Sequence, residues 1–291
     1  RDFEGLCLRR SRHEPVQYLV GEWDFHGVSL AVRPPTLIPR PETEELVERV
    51  LQWLRVEEGV SDEGQGLRIL DVGTGTGAIG LALLHELPGA TCVALDVSEA
   101  AVELATANAA RVGVGERYTC VHASIADFAR LSRPSVAAAP AAEPGGGTGR
   151  ESTGQAGSGF DVIVSNPPYI PTADLHGLAA DVIEHEDRGA LDGGSDGLTV
   201  IRDIVAGAHC LLRPGGFRRV WLEVDSSHPA AIGQWLGPGK AGAEAAGVSA
   251  FQWMEDLSGL PRFVALTFSA PSDGRAPATT GLPSPGPAPA F

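Results

Sequence analysis

A chain of 291 residues, 43% of them hydrophobic, can build one well-buried α/β domain with appendages but not three ordinary domains. Thirty-seven acidic against twenty-two basic side chains leave a net charge of −15, which disfavours indiscriminate attraction to a nucleic acid backbone. No apolar run approaches the roughly 18 residues of a membrane-spanning helix, and no signal-peptide pattern stands near the start. Cys7, Cys92, Cys120 and Cys210 lie far apart without a CxxC, so neither a metal site nor a disulfide framework is expected. A soluble protein with buried, reduced thiols follows.

Residues 16–33 (VQYLVGEWDFHGVSLAVR) alternate apolar and polar positions around Asp24 to Gly27, which predicts a β-hairpin. Pro39 and Pro41 hold the next stretch extended as far as Glu42 and Thr43. After them Leu46, Val47, Val50, Leu51 and Leu54 recur at helical spacing. Short apolar runs at 68–72 (RILDV), 91–96 (TCVALD), 118–122 (YTCVH), 161–165 (DVIVS) and 218–224 (RRVWLEV) alternate with helical patterns such as 77–87 and 98–112. Strands alternating with helices imply a Rossmann-like α/β fold with a mainly parallel, doubly wound sheet. Runs at 248–255 and 262–268, joined by SGLP, predict an antiparallel edge. Arg218 and Arg219 fall in what should be a buried strand, where the sequence offers them no partner.

Residues 132–159 are dominated by Ala, Pro, Gly, Ser and Thr and cannot bury enough apolar surface to offset the entropy of ordering. They predict a disordered insertion, and residues 270–291 predict a disordered tail on the same ground. The expected organisation is a hairpin linker over 16–38 and a main domain over 39–269, with residues 1–15 ahead of both.

The strand RILDV runs directly into Gly73-Thr74-Gly75-Thr76-Gly77 and then a helical pattern. Open α/β sheets bind ligands at such strand-to-helix turns. Glycines let the backbone turn tightly and approach a ligand, and the helix N-terminus offers free N–H groups. The turn alone is ambiguous, because Gly75 to Gly80 also satisfies the dinucleotide pattern GxGxxG. Two carboxylates favour S-adenosylmethionine. Asp71 ends the strand where it would repel a pyrophosphate but attract a methionine ammonium group. Asp96 ends the following strand where it can accept both ribose hydroxyls. For each, a helix-capping carboxylate is the competing reading.

The run DVIVS ends in Asn166-Pro167-Pro168-Tyr169, at the same edge of the sheet as the glycines. Two prolines stiffen the backbone and remove two N–H donors, leaving the Pro167 carbonyl for an outside donor. Asn166 adds an amide oxygen. The two acceptors can hold both hydrogens of an –NH2 group, while the Tyr169 ring packs on the planar group behind it. The reaction is then direct displacement at a sulfonium methyl, in which positioning can supply on the order of 7 kcal/mol or more. The competing reading is a strand end capped by Pro-Pro and Asn.

Taken together, the segments PVQYLVGEWDFHG, LIPRPETEELVE, ILDVGTGTGAIGLAL, DVIVSNPPYIP and EHEDRGALDGGSDGL, followed by LRPGG and LEVD, resemble the release-factor glutamine methyltransferases, the PrmC/HemK family, from about Pro15 to Phe268. The resemblance implies a class I S-adenosylmethionine-dependent methyltransferase fold. It also implies methylation of the glutamine side chain in the GGQ motif of class I peptide-chain release factors. On this reading Asp71, Gly73, Thr74, Gly75, Thr76, Gly77, Asp96, Ser124, Ile125 and Asn166 meet the cofactor, and Asn166, Pro167, Pro168 and Tyr169 hold the glutamine. Arg40, Glu42 and Glu186 fall near the substrate crevice, with surface salt bridges or a helix cap as their competing role. LEVD followed by His228-Pro229 is similar to the animal mitochondrial branch, which implies a mitochondrial location, or otherwise a cytoplasmic one.

Two departures stand out. Ser124 replaces the carboxylate that the family places on the adenine side of the cofactor, and residues 1–15 are at most a remnant of its helical N-terminal docking domain. The alternatives are a nucleic acid N6-adenine methyltransferase, which shares NPPY, and a catalytically silent interaction module. A nicotinamide dehydrogenase gains nothing from NPPY. The acidic charge and the PRPETE segment favour a release factor as partner, with no direct nucleic acid and no membrane contact.

Overall fold

The computed structural model describes residues 3–132 and 159–270. Apart from Ser132, Gly159 and Ala270, the expected insertion over 132–159 and tail over 270–291 lie outside the described residues. Two short helices, α1 (Phe3–Arg10) and α2 (Val16–Val20), precede an antiparallel hairpin of β1 (Glu22–Phe25) and β2 (Val28–Ala31). The hairpin expected over 16–33 is therefore confined to residues 22–31. Tyr18 and Leu19 are consecutive and both buried, which a helical turn allows and a pleated strand does not. Pro15 opens that turn and Gly21, at φ 86°, closes it. The Tyr18 hydroxyl then donates to the Thr36 carbonyl at 2.6 Å, tying α2 to the chain leading into the site.

Helix α3 (Pro41–Gln52) carries proline in its first turn, where a missing N–H costs nothing, and buries Leu46, Val47, Val50 and Leu51. It widens into a last turn over Trp53–Glu57. The chain continues through β3 (Arg68–Val72), α4 (Ala78–Glu86), β4 (Thr91–Asp96), α5 (Glu99–Val112), β5 (Tyr118–His122), α6 (Ile125–Ser132) and β6 (Val162–Ser165). After these come α7 (Ala180–Ile183), α8 (Thr199–Leu211), β7 (Arg219–Glu223), α9 (His228–Leu236), α10 (Ala241–Ala246), β8 (Val248–Glu255) and β9 (Pro261–Phe268).

The sheet runs β5-β4-β3-β6-β7-β9-β8, with β5 to β7 parallel and the last two pairings antiparallel, as the sequence pattern predicted. Alternating residues of β3 feed two cores: Ile69 joins α3, α4 and α5 on one face, while Leu70 and Val72 join α6, α8, α9 and α10 on the other. Strand order reverses between β4 and β6 on either side of β3, which opens a crevice at the carboxyl ends of these strands.

The two arginines without a sequence partner find one in the tertiary structure. Arg218 lies just before β7, only 3% exposed, and its guanidinium donates to the carbonyls of Ser269, Leu212 and His209. Two of these belong to the end of α8, whose last carbonyls lack helical partners and attract a cation. Arg219 stacks over Trp53 and Trp221, with centroid distances of 5.2 and 5.1 Å. All four cysteines are free, yet only Cys92 is fully buried, and Cys7 and Cys210 are exposed, contrary to the expected burial. Among the described residues no helix is long and apolar enough to cross a membrane.

Candidate active site

The glycine turn after β3 is held against the end of β4. The amides of Gly73 and Thr74 donate to the Leu95 carbonyl at 2.8 and 3.0 Å, and Gly75 N–H donates to an Asp96 carboxylate oxygen at 2.9 Å. Gly73, Gly75 and Gly77 all have φ between 57° and 88°, a region closed to most side chains. The second Asp96 oxygen accepts from Ser98 N–H at 2.9 Å, so the carboxylate is locked at the end of β4 while each oxygen keeps further acceptor capacity. Burial pushes its carboxyl above the ordinary range.

A cavity opens here, with Gly73, Gly75, Asp96, Ser124, Ile125 and Asn166 in its wall. Among the described residues no lysine or arginine lines it, whereas Asp96, Asp187 and Asp203 do. Such a wall repels a pyrophosphate and favours a cation. Val97, Ile125 and Val200 add apolar surface for a flat ring. Ser124 has a local task as well, since its hydroxyl donates to Asp127 at 2.7 Å and accepts from Asp127 N–H at 3.1 Å, capping α6.

Four residues assigned to the cofactor from sequence do not reach this wall. Asp71 is fully buried behind the turn, where one carboxylate oxygen accepts from the Thr74 hydroxyl at 2.6 Å and from Gly80 N–H in the first turn of α4 at 3.2 Å. Thr74 is also 2.9 Å from the Tyr118 hydroxyl. Desolvation pushes the Asp71 carboxyl up to about 6. The capping role, not ammonium binding, fits this placement, because the side chain alternates onto the α4 face of the sheet rather than over its edge. The Thr76 carbonyl accepts from Asn108 Nδ2 at 2.9 Å, and Asn108 also bonds both backbone groups of Ala31, so α5 joins the turn to the hairpin. Gly77 begins α4, where an added Cβ would stand 2.8 Å from Leu81.

A second cavity adjoins the first across Asn166 and Pro168, and is lined also by Pro167, Tyr169, Arg40 and the apolar Leu178, Val182 and Leu191. Asn166 Nδ2 donates to the Thr43 hydroxyl at 3.1 Å, and that hydroxyl donates to Glu223 at 2.7 Å. Glu223 is 1% exposed, and burial pushes its carboxyl up to about 7. Tyr169 is pushed up to about 12 by burial, so its hydroxyl stays protonated at neutral pH.

The stretch after α7 clamps the NPPY backbone. Ile170 N–H bonds to the Leu191 carbonyl at 3.0 Å and Gly193 N–H to the Ile170 carbonyl at 2.8 Å. A Cβ at Gly193 would stand 2.8 Å from the Pro168 carbonyl, and one at Gly197 would strike the Tyr169 carbonyl and the His228 ring.

Of the three charged residues expected at the crevice, only Arg40 lines it. Glu186 is buried beneath, gripping Arg40 through both carboxylate oxygens at 2.8 and 2.7 Å. Glu42 reaches neither cavity, although its charge raises the Glu223 carboxyl. Thr43, Glu223, Asp187 and Asp203 were not singled out from sequence as site residues. The first three sit in PRPETE, LEVD and EHEDRG, segments that carried the resemblance, whereas nothing in the pattern of α8 marks Asp203. Among the described residues no group of three or more His, Cys, Asp and Glu is arranged to hold a metal ion.

The profile of a family described as "Methyltransferase domain" matches residues 63–186. Human "MTRF1L release factor glutamine methyltransferase" is 40% identical over 232 residues, which make up 79% of this chain and 62% of the human protein. The release factor glutamine methyltransferase of Geobacter sulfurreducens is 40% identical over 221 residues, 76% of this chain and 63% of the bacterial one. That of Caulobacter vibrioides is 34% identical over 256 residues, 88% of this chain and 74% of its own length. The chain thus spans less than two thirds of the length of the human and Geobacter relatives.

Proposed function

The chain belongs to the release factor glutamine methyltransferase family, and from that premise we propose that it methylates the side-chain nitrogen of the glutamine in the GGQ motif of a class I peptide-chain release factor, using S-adenosylmethionine. The observation that carries this reading is the place of Asn166, on the wall between a cavity lined by Asp96, Asp187 and Asp203 and a second, largely apolar cavity. When bound, the cofactor supplies an electrophilic methyl group on a sulfonium centre.

The residues of the chain do the rest. The glycine turn gives close backbone approach, Asp96 takes the ribose hydroxyls, and Asp187 and Asp203 add negative potential suited to a cation. On the other side, Asn166 Oδ1 and the Pro167 carbonyl accept the two N–H groups of the glutamine amide, with Tyr169 and Pro168 against its plane. Hydrogen bonds from those protons raise electron density on the nitrogen and aim it at the methyl group, so that as the C–N bond replaces the sulfur–carbon bond one amide proton leaves to solvent, while in-line placement removes most of the entropic barrier. Neighbouring glycines in the substrate suit the second cavity, which is lined by Leu178, Leu191 and Arg40, the last held from beneath by Glu186.

Incubation with methyl-labelled S-adenosylmethionine should label a class I release factor and leave its GGQ-to-GGA variant unlabelled; equal labelling of both overturns the glutamine assignment. The likeness of LEVD and His228-Pro229 to the animal mitochondrial branch supports a mitochondrial site of action, which imaging of the tagged full-length protein would check.

A further inference from the structure

We propose that Thr43 and Glu223 are positioning residues for methyl transfer, setting the rotation of the Asn166 amide so that its oxygen, and not its –NH2 group, meets the acceptor nitrogen. The proposal rests on the function given above. An asparagine amide is nearly two-fold in shape, so packing alone selects poorly between its two orientations and hydrogen bonds must decide. Here the decision lies with neighbours far away in the chain. Thr43 stands in the first turn of α3, Glu223 ends β7, and Asn166 follows β6.

The Thr43 hydroxyl has a single proton and donates it to a Glu223 carboxylate oxygen 2.7 Å away, the only direction open once the buried carboxyl, which burial raises to about 7, is ionised. Toward Asn166 the same hydroxyl oxygen is left only as an acceptor, so the group 3.1 Å from it must be Nδ2. Asn166 Oδ1 is thereby turned away from Thr43 and remains available to substrate. In the opposite rotation, two –NH2 groups would face each other across the site and neither could bond. Neither Thr43 nor Glu223 lines either cavity, and both bond to Asn166, which lines both.

A hydrogen-bond chain with a direction can be broken and reversed. Thr43→Val removes the link and should lower kcat about tenfold, the factor that one hydrogen bond of ordinary strength is worth. KM for the release factor and the affinity for S-adenosylhomocysteine should stay close to wild type, and Thr43→Ser should restore the rate. Asn166→Asp places two carboxylates on either side of Thr43 and should lower kcat further. Adding Glu223→Gln should recover part of that loss, because the amide nitrogen it introduces can donate to the Thr43 hydroxyl, which then donates to the carboxylate introduced beside it. A merely structural role for Glu223 predicts additive losses instead.

The proposal is overturned if Thr43→Val keeps wild-type kcat, or if Glu223→Gln worsens the Asn166→Asp enzyme. Should the double variant fail to fold, as judged by loss of S-adenosylhomocysteine binding, the Val and Ser substitutions at Thr43 decide. Should the wild-type protein leave the release factor unlabelled, the functional reading fails, and the positioning role is decided by amide exchange. Slow exchange of the Asn166 side-chain protons in the wild type and the Ser variant, with fast exchange in the Val variant, supports it. Equal exchange in all three overturns it.

Discussion

The two walls of the crevice are built on different principles. The cofactor wall is a short run of consecutive residues, Gly73 to Gly77, whose amides bond to the end of the neighbouring strand β4 and whose shape comes from positive φ. The acceptor wall is a tetrapeptide held from outside. Thr43 and Glu223 orient its asparagine, and Gly193 and Gly197 press against its carbonyls. The side chains that brace the first wall, Asp96, Asn108 and Asp71, hold a turn that meets a ligand with its backbone, whereas those that brace the second hold the side chain that meets the reacting group. The two halves should therefore fail differently: damage to the first appears as cofactor affinity, damage to the second as turnover.

The largest separation is expected from Asn166→Ala. Losing an acceptor aimed at the reacting nitrogen should cost at least about 100-fold in kcat, while calorimetry with S-adenosylhomocysteine should find the affinity nearly unchanged. If affinity falls with turnover, the walls are not separable. Gly197→Ala forces a Cβ into the Tyr169 carbonyl at a φ of 74°. It should destabilise the protein by about 2–4 kcal/mol in denaturant titration and slow turnover more than it weakens cofactor binding.

Arg40→Ala leaves the buried Glu186 carboxylate without the Nη2 group that donates to both its oxygens. Arg40 itself is 34% exposed, so solvent screening reduces the cost of an uncompensated charge to about 1–3 kcal/mol. Denaturant midpoints would read this, and Glu186→Gln in the same background should recover part of it.

A pH dependence is expected behind the cofactor wall. Burial raises the Asp71 carboxyl to about 6, so the native state keeps a proton that the unfolded chain releases near pH 4. The contribution to stability is full below that value and lost as pH rises through about 6. Asp71→Asn should flatten this part of the curve, because one amide oxygen can still accept from both Thr74 and Gly80. An unchanged slope between pH 4 and 6 would place the titration elsewhere.

Strands and the helices that separate them were legible because a two-residue or 3.6-residue period is written into neighbouring positions. The stretch over Val16–Val20 misled for the same reason: five residues fit either period, and only the packing of both Tyr18 and Leu19 decided for a helix. The glycine turn and NPPY, which line the two adjoining cavities, stood out in the sequence because the chemistry proposed for them needs adjacent residues. Asp71 was legible as a carboxylate at a strand end, but not as one facing α4 instead of the crevice.

Sequence alone thus determined the fold class and the cofactor chemistry, and it marked the tetrapeptide proposed to hold the acceptor. Tertiary structure alone decided which side chains serve the site directly and which brace it. Arg218 found carbonyls at the end of α8, Glu186 went beneath Arg40, and Thr43 and Glu223 met Asn166 from two other elements. The reason is physical: periodicity and turn chemistry act between neighbours in the chain, whereas the direction of a hydrogen bond depends on partners that only folding brings within 3 Å or so.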